Sequence, residues 1–292
     1  MQAPTGSGLS TLLLQSFSYA LESSWIVIYI PRAINLVDSS SPYNYSEALQ
    51  TYLQPSIARS MLEKILAINE NQLSKLTTEG NAINLDRGLT IEANTKLTEV
   101  IREGIKSNTS PTATQQILEI VLKTVVQQKE TPVLMAIDGA QALFSTTMYR
   151  DADYRQLKSY ELAVPRLLQS CLRKSGPGSF GGVQRGKVLT AFSLQHKEWP
   201  VPAEMKSAVQ LDIVDPYTKM DTIMHAILQD CEFEKLDFGL ELTKLEAISL
   251  FELARQEGGM WNATNDEYFM TKLVESGGNL GVFDRSLRSS IM

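Results

Sequence analysis

Residues 133–137 read VLMAI, an unbroken apolar run that is followed by Asp138. A short apolar run without polar alternation is typical of a strand that is buried on both faces of a parallel sheet. Residues 25–30 (WIVIYI) and 187–193 (KVLTAFS) have the same character. Segments with helical apolar spacing separate the three runs, and this alternation of helices with buried strands predicts an α/β fold with a parallel sheet.

The helical segments are recognised by apolar residues three and four positions apart. They comprise residues 10–21, 54–68, 111–128 and 161–174. The polar stretch 69–98 is compatible with a loop or with a partly exposed helix. Further helical spacing with glycine stops at residues 258–259 and 277–278 occurs in the last third of the chain. We therefore predict an α/β domain over residues 1–213 and a small helical lid domain over residues 214–292.

Composition limits the classes of protein that remain. The chain has 292 residues, of which 43% are hydrophobic, so it can bury a substantial core. Its net charge of −6 excludes a generally basic surface, and contact with nucleic acid would have to be local. Cys171 and Cys231 lack any metal-binding spacing and are interpreted as free thiols in a reducing compartment. No apolar run approaches the roughly 18 residues of a membrane span, and a soluble protein is expected.

Residues 3–10 (APTGSGLS) have nearly the form of a phosphate-binding loop, G-x-x-x-x-G-K-[ST]. Ala3 replaces the first glycine and Leu9 replaces the lysine. Backbone N–H groups and a helix dipole can hold phosphate whatever the side chains are. The candidate phosphate-binding residues are Thr5, Gly6, Ser7, Gly8, Leu9, Ser10 and Thr11. Loss of the lysine should cost roughly 1.5 to 3 kcal/mol of binding; alternatively, Leu9 packs into the core and the loop is an empty relic.

A phosphate-binding loop ordinarily follows a strand, yet only two residues precede Ala3. We expect that this first strand is missing from the sequence. The chain would then be truncated at its N-terminus, and any targeting peptide would lie upstream of Met1.

Asp138 is the second element of a candidate nucleotide site, because a carboxylate at the end of a buried strand can hold Mg²⁺. The hydroxyl of Ser10 would be another metal ligand. Gly139 follows Asp138, where many related ATPases have a glutamate that orients water. With Leu9 and Gly139 in these places, we predict little or no hydrolysis and assign no catalytic residue.

Other polar residues carry weaker hypotheses. Gln141 and Ser193 could contact phosphate or metal, although Gln141 is more simply explained as a surface residue. His196 and His225 have no nucleophile motif beside them and are interpreted as ordinary surface or core histidines. Arg285 could contact phosphate from the lid, or it could be solvated or ion-paired.

Several segments together resemble the death-associated protein 3 family of the mitochondrial ribosomal small subunit. They are the glycine loop, IPRAINLV, SPYNY, YLQP, VLMAIDGAQALF and SGGNLGVFDRSL. The resemblance covers most of the chain, and AIDGAQALF with the Tyr/Pro-rich segment upstream is its most specific part. It implies an AAA-related P-loop NTPase fold and a bound purine nucleotide with Mg²⁺, with GTP or GDP favoured over ATP or ADP.

The same resemblance implies a function and a location. The chain would be a structural component of the small subunit in the mitochondrial matrix, with its transit peptide outside this sequence. Its partners would be mitochondrial ribosomal proteins, with limited rRNA contact at clusters such as residues 166–174 or 185–187. The alternative is a free signalling NTPase that acts as a nucleotide-dependent switch, and Leu9 and Gly139 argue against it.

Overall fold

A computed structural model describes residues 2–3, 6–78, 80, 82–193, 198–210, 215, 217–236, 242–258 and 265–288. The strands of this part, β1 to β10 in chain order, are Gln2–Ala3, Ile26–Ile30, Asn44–Ser46, Thr51–Leu53, Ile83–Asn84, Thr90–Ile91, Val133–Asp138, Thr146–Arg150, Gln156–Lys158 and Gly186–Ser193. The helices α1 to α10 are Leu9–Glu22, Pro55–Leu73, Leu97–Ile105, Pro111–Gln127, Ala163–Leu172, Ala203–Ala208, Thr222–Gln229, Lys244–Gln256, Asp266–Ser276 and Leu280–Arg288.

The central sheet contains four strands in the order β1-β10-β7-β2, and every neighbouring pair is parallel. In register, Ile26 lies opposite Val133, and Gly186 lies opposite Val133 on the other side. The three strands predicted from the apolar runs are therefore adjacent in space. The predicted α/β class with a parallel sheet is confirmed.

The edge strand β1 differs from the expectation that the first strand is missing. Gln2 and Ala3 form a short parallel strand with β10, in which Gln2 lies opposite Phe192 and Ala3 opposite Ser193. The strand that leads into the glycine loop is thus represented in this sequence, although only by two residues. The prediction that it is missing was wrong, because two residues suffice to continue the parallel ladder beside β10.

Successive side chains of the inner strands pack on opposite faces of the sheet, as the period of a strand requires. In β7, Val133, Met135 and Ile137 belong to the main core, which also contains buried residues of α2 to α5. Leu134 and Ala136 point to the other face, where α1 covers them. Helices on both faces explain why residues 133–137 form an unbroken apolar run.

At Val27, a buried side chain of α2 caps the outer edge of β2. The Val27 N–H donates to Asn69 Oδ1 at 2.7 Å, and Asn69 Nδ2 donates to the Val27 carbonyl oxygen at 2.9 Å. Asn69 has non-helical dihedral angles inside α2 (φ −118°, ψ 17°). One amide therefore replaces a neighbouring strand and leaves no backbone group of Val27 open to a further strand.

Three antiparallel two-stranded ribbons, β3-β4, β5-β6 and β8-β9, lie outside the central sheet. The sequence patterns did not identify them, nor the helix α3. Tyrosines link the first ribbon to the third, since the Tyr43 ring lies 4.8 Å from that of Tyr149. The SPYNY and YLQP segments, which carry much of the family resemblance, thus build an aromatic corner that is separate from the glycine loop.

Helices α8, α9 and α10 share a small core of their own, which is centred on Phe251, Phe269 and Phe283. Buried residues of α7, by contrast, belong to the main core of the sheet domain. The compact helical unit among the described residues therefore begins after α7, and the proposed boundary at residues 213/214 stays a prediction. No helix within the described ranges is both long and apolar enough to cross a membrane.

Candidate functional site

The glycine loop leads directly into α1, and its backbone leaves donors free at the start of that helix. Gly6 and Gly8 have left-handed φ values of 89° and 85°, which glycine adopts without steric cost. Gly8 is the N-cap of α1, and the first helical bond is Leu12 N–H to the Gly8 carbonyl. The N–H groups of residues 9–11 consequently have no acceptor within the helix. No acidic side chain occupies the first turn, so an anion would meet the positive end of the helix dipole.

A cavity of about 420 Å³ lies in front of this loop, at the carboxyl edge of the sheet. Its described lining comprises Gly6, Ser7, Gly8, Leu9, Ser10, Thr11, Asp138, Ala191, Phe192, Leu250, Leu280, Gly281 and Asp284. The structure thus brings together the candidate loop residues from Gly6 to Thr11 and both candidate metal ligands, Ser10 and Asp138. Thr5, the remaining candidate, lies outside the described residues.

The charge of the cavity opposes a bare phosphate. Its described lining includes the carboxylates of Asp138 and Asp284 but neither a lysine nor an arginine. Arg285, the candidate phosphate contact, is exposed and does not line the cavity. Asp284 lies there instead and accepts a hydrogen bond from Arg288 Nε at 3.0 Å. A polyanion would therefore depend on the backbone amides and on a cation that offsets the two carboxylates.

Leu9 contributes to packing as well as to the cavity wall. Its side chain is partly buried against a small cluster that contains Leu13, Ala136 and Ala191. This is the packing that the relic hypothesis expected. The side chain still lines the cavity, so a longer cationic group at this position would extend into it.

Asp138 ends β7, and Gly139 begins a tight turn immediately after it. Gly139 has φ 70° and ψ 32°, in the left-handed region. A glutamate here would carry a left-handed penalty of about 1–2 kcal/mol, which explains physically why this turn accommodates glycine. The pKa of the Tyr29 phenol, on the neighbouring strand β2, is raised first by burial and then by the negative charge of Asp138.

The C-terminal segment contacts the glycine loop directly. The Gly281 N–H donates to the Gly6 carbonyl oxygen at 2.7 Å. A Cβ added to Gly281 would lie 2.7 Å from Gly6 Cα, and one added to Gly6 would lie 2.9 Å from Asn279 Oδ1. Only glycine at both positions permits this approach. The family resemblance implied that the SGGNLG segment approaches the site from the lid, and it does so; the individual contact with Gly6 was not predicted.

The remaining polar candidates are not brought into the cavity. Gln141 is buried, not a surface residue as expected, because the turn after Gly139 carries it into the core. His225 is half-buried beside Gln229 on α7. Ser193 ends β10, but its side chain and His196 lie outside the described part of the chain. Across the described ranges, no cluster of three or more His, Cys, Asp or Glu side chains is placed to hold a metal.

These features define a class: an open parallel α/β protein with a glycine-rich loop and a strand-end aspartate at the carboxyl edge of its sheet. The family described as mitochondrial ribosomal death-associated protein 3 matches residues 2–286. The chain belongs to this family, which confirms the resemblance found in the sequence.

Individual relatives agree with this assignment. A Neurospora crassa protein named small ribosomal subunit protein mS29 is 24% identical over an alignment of 292 positions, which covers 98% of this chain and 61% of the relative. The Schizosaccharomyces pombe protein of the same name is 29% identical over 191 residues, 65% of this chain and 39% of the relative. The Bos taurus protein is 25% identical over 220 residues, 73% and 53% respectively. The chain thus spans about six-tenths or less of the length of these relatives.

Proposed function

We propose that this protein is a structural component of the small subunit of the mitochondrial ribosome, located in the mitochondrial matrix. The observation that carries the proposal is the family match over residues 2–286, supported by relatives named as small ribosomal subunit proteins. The net charge of −6 favours protein neighbours over extensive rRNA contact. Any rRNA contact would be local, at an exposed basic residue such as Arg185.

Sedimentation tests this role directly. Mitochondria containing an epitope-tagged chain are lysed, and the tagged protein is followed through a sucrose gradient. We expect it to migrate with the small subunit and to move to the top of the gradient when the subunit is dissociated with EDTA and high salt. A protein found only in the soluble fraction of the untreated lysate would contradict the proposal.

We further propose that the glycine-loop cavity binds a purine nucleotide together with Mg²⁺ and does not turn it over at a useful rate. The free N–H groups at the start of α1 and the left-handed glycines fit a phosphate group. Ser10 and Asp138 would hold the metal ion, which would supply the positive charge that the lining lacks. The left-handed turn at Gly139 leaves no base beside Asp138, so hydrolysis and a signalling switch are not supported.

Calorimetry tests the nucleotide proposal. The chain is titrated with GDP, GTP, ADP and ATP, each with Mg²⁺ and with EDTA. Because Asp138 and Asp284 line the cavity, binding should be strong only with Mg²⁺. From the family resemblance, we expect guanine nucleotides to bind more tightly than adenine nucleotides. Absence of binding under all conditions would establish the loop as a relic, and rapid phosphate release would contradict the assignment of a site without turnover.

A further inference from the structure

A second and larger cavity, of about 1080 Å³, lies away from the glycine loop. We call it the α5-α7 groove, because residues of those two helices line it. The β3-β4 ribbon and the turn around residues 176–178 also contribute lining residues. Its volume exceeds the range of about 300–1,000 Å³ for small-molecule pockets, which suits part of a macromolecule better than a metabolite.

The groove has three chemically different walls. Tyr45 and Tyr52 of the ribbon pack at 5.0 Å between ring centroids, and 53% of Tyr45 is exposed. Ile223 of α7 also lines the groove and is 53% exposed, although it is an apolar residue on the second position of a helix. Arg166 of α5 lines the groove as well and is exposed. Tyrosine and arginine are the residues that protein interfaces concentrate at their energetic centres.

The charges of the groove distinguish protein from RNA as its occupant. Arg173 is held by Asp230 at 2.6 Å, and Arg155 is held by Glu161 at 2.8 Å. These carboxylates line the groove too, so neither of the two paired arginines offers a free positive charge to a phosphate backbone. Arg166 makes no ion pair with a described carboxylate. It is therefore the one unpaired charge among the described lining residues, because the other two arginines are paired with carboxylates.

We propose that the α5-α7 groove binds an extended segment of a partner protein, which presents a carboxylate to Arg166 and an apolar side chain to Ile223. A single acidic side chain balances the one unpaired arginine, whereas a run of phosphates would not. The apolar side chain covers the exposed part of α7, and Tyr45 and Tyr52 offer flat faces to the backbone and side chains of the segment. The proposal depends neither on the ribosomal role nor on nucleotide binding.

The probe is a library of random twelve-residue peptides displayed on phage and selected on the purified chain. The selected sequences are expected to combine acidic and apolar residues. A synthetic, fluorescein-labelled peptide of the enriched sequence is then titrated by fluorescence anisotropy. We expect Arg166→Glu and Ile223→Asp each to weaken its binding at least about tenfold, which corresponds to about 1.4 kcal/mol.

Matched controls separate the groove from general surface effects. Leu245→Asp makes the same change at an exposed apolar residue on the second position of α8, and Arg255→Glu reverses an exposed arginine on that helix. Both should bind the peptide like wild type. Circular dichroism verifies that each variant is folded, and Tyr45→Ala replaces any groove variant that is not.

Three outcomes would overturn the proposal. The selection yields no acidic and apolar consensus, or the groove variants bind the peptide as tightly as the controls do. In the third, a labelled ten-nucleotide oligouridine binds the wild-type chain, competes with the peptide and is lost in Arg166→Glu, which would assign the groove to single-stranded RNA.

Discussion

Leu9 determines how much positive charge the glycine-loop cavity can offer. It stands at the first turn of α1, where its side chain is shared between the cavity wall and the cluster around Leu13 and Ala191. The backbone donors of the loop do not depend on this side chain. The two contributions to phosphate affinity, amide geometry and side-chain charge, can therefore be separated by one substitution.

Leu9→Lys should tighten nucleotide binding by about ten- to a hundredfold, the value of one charge-assisted contact of roughly 1.5 to 3 kcal/mol. Phosphate release should stay low, since Gly139 still offers no base. Calorimetry and a phosphate-release assay measure the two quantities. Leu14→Lys, at a half-exposed position of the same helix outside the cavity lining, is the control. Equal affinity in the two variants would show that position 9 does not face phosphate.

Gly6 carries two separable requirements, a left-handed backbone and close contact with the C-terminal segment. Gly6→Ala introduces both the φ penalty and a 2.9 Å clash with Asn279 Oδ1, whereas Gly88→Ala introduces only the penalty, because no atom lies within 4 Å of its Cβ. Chemical denaturation should show Gly6→Ala to be less stable than Gly88→Ala by about 1–3 kcal/mol. Equal losses would mean that the contact contributes nothing to stability.

Among the elements, those with an unmistakable local signal were predictable. Residues 26–30 and 133–137 are apolar runs because both of their faces are covered. In α4, apolar residues recur at helical spacing over 17 residues. The ribbons were not predictable, because strands of two to five residues are too short to show a hydrophobic periodicity that distinguishes them from loops. α3 was missed because its nine residues adjoin a polar stretch.

The closed edge of β2 leads to a prediction about Asn69. Asn69→Ala removes the partner of both backbone groups of Val27 and leaves two buried polar groups unsatisfied, at about 1–3 kcal/mol each. We expect a loss of about 2–4 kcal/mol in chemical denaturation. Asn71→Ala, at an exposed position of the same helix, should change stability by less than about 0.5 kcal/mol. A comparable loss in both variants would contradict the role assigned to the Asn69 amide.

For the candidate site, sequence placed the loop and Asp138 correctly at one edge of the sheet, because the carboxyl ends of parallel strands meet there. Asp284 and Gly281 were not predicted to line the cavity, and Arg285 was named instead. Neighbouring positions on a helix point in different directions, so only the packing of Phe283 and Leu287 into the small core decides which residue faces the loop.

At the scale of the whole molecule, the reactivity of the two cysteines can test whether α7 folds with the sheet domain or with the helical unit α8 to α10. Burial raises the pKa of Cys231 to about 12 and that of Cys171 even more strongly. Both thiols are therefore protonated in the folded chain at ordinary pH. An unfolded thiol titrates at about 8.5. The contribution of the buried Cys231 thiol to the free energy of unfolding is therefore fully present below that pH and is lost as the pH rises toward 12.

Cys171 lies in α5 and Cys231 follows α7, and both belong to the main core. We expect them to be alkylated at the same slow rate under native conditions, because both become accessible only when that core opens. Mass spectrometry of each cysteine-containing peptide measures the two rates, and the denatured chain provides the unprotected reference. Much faster labelling of Cys231 would mean that α7 opens together with α8 to α10, as a boundary at residues 213/214 requires.

The hydrogen bond from Gly281 to Gly6 joins the first described loop to the last described helix. During synthesis on a ribosome, residue 6 is made well before residue 281. The glycine loop therefore lacks this neighbour until the last described helix has emerged, whatever else has already folded. A conformational antibody or ligand that recognises the closed loop would distinguish chains that contain the α10 segment from chains that end before it.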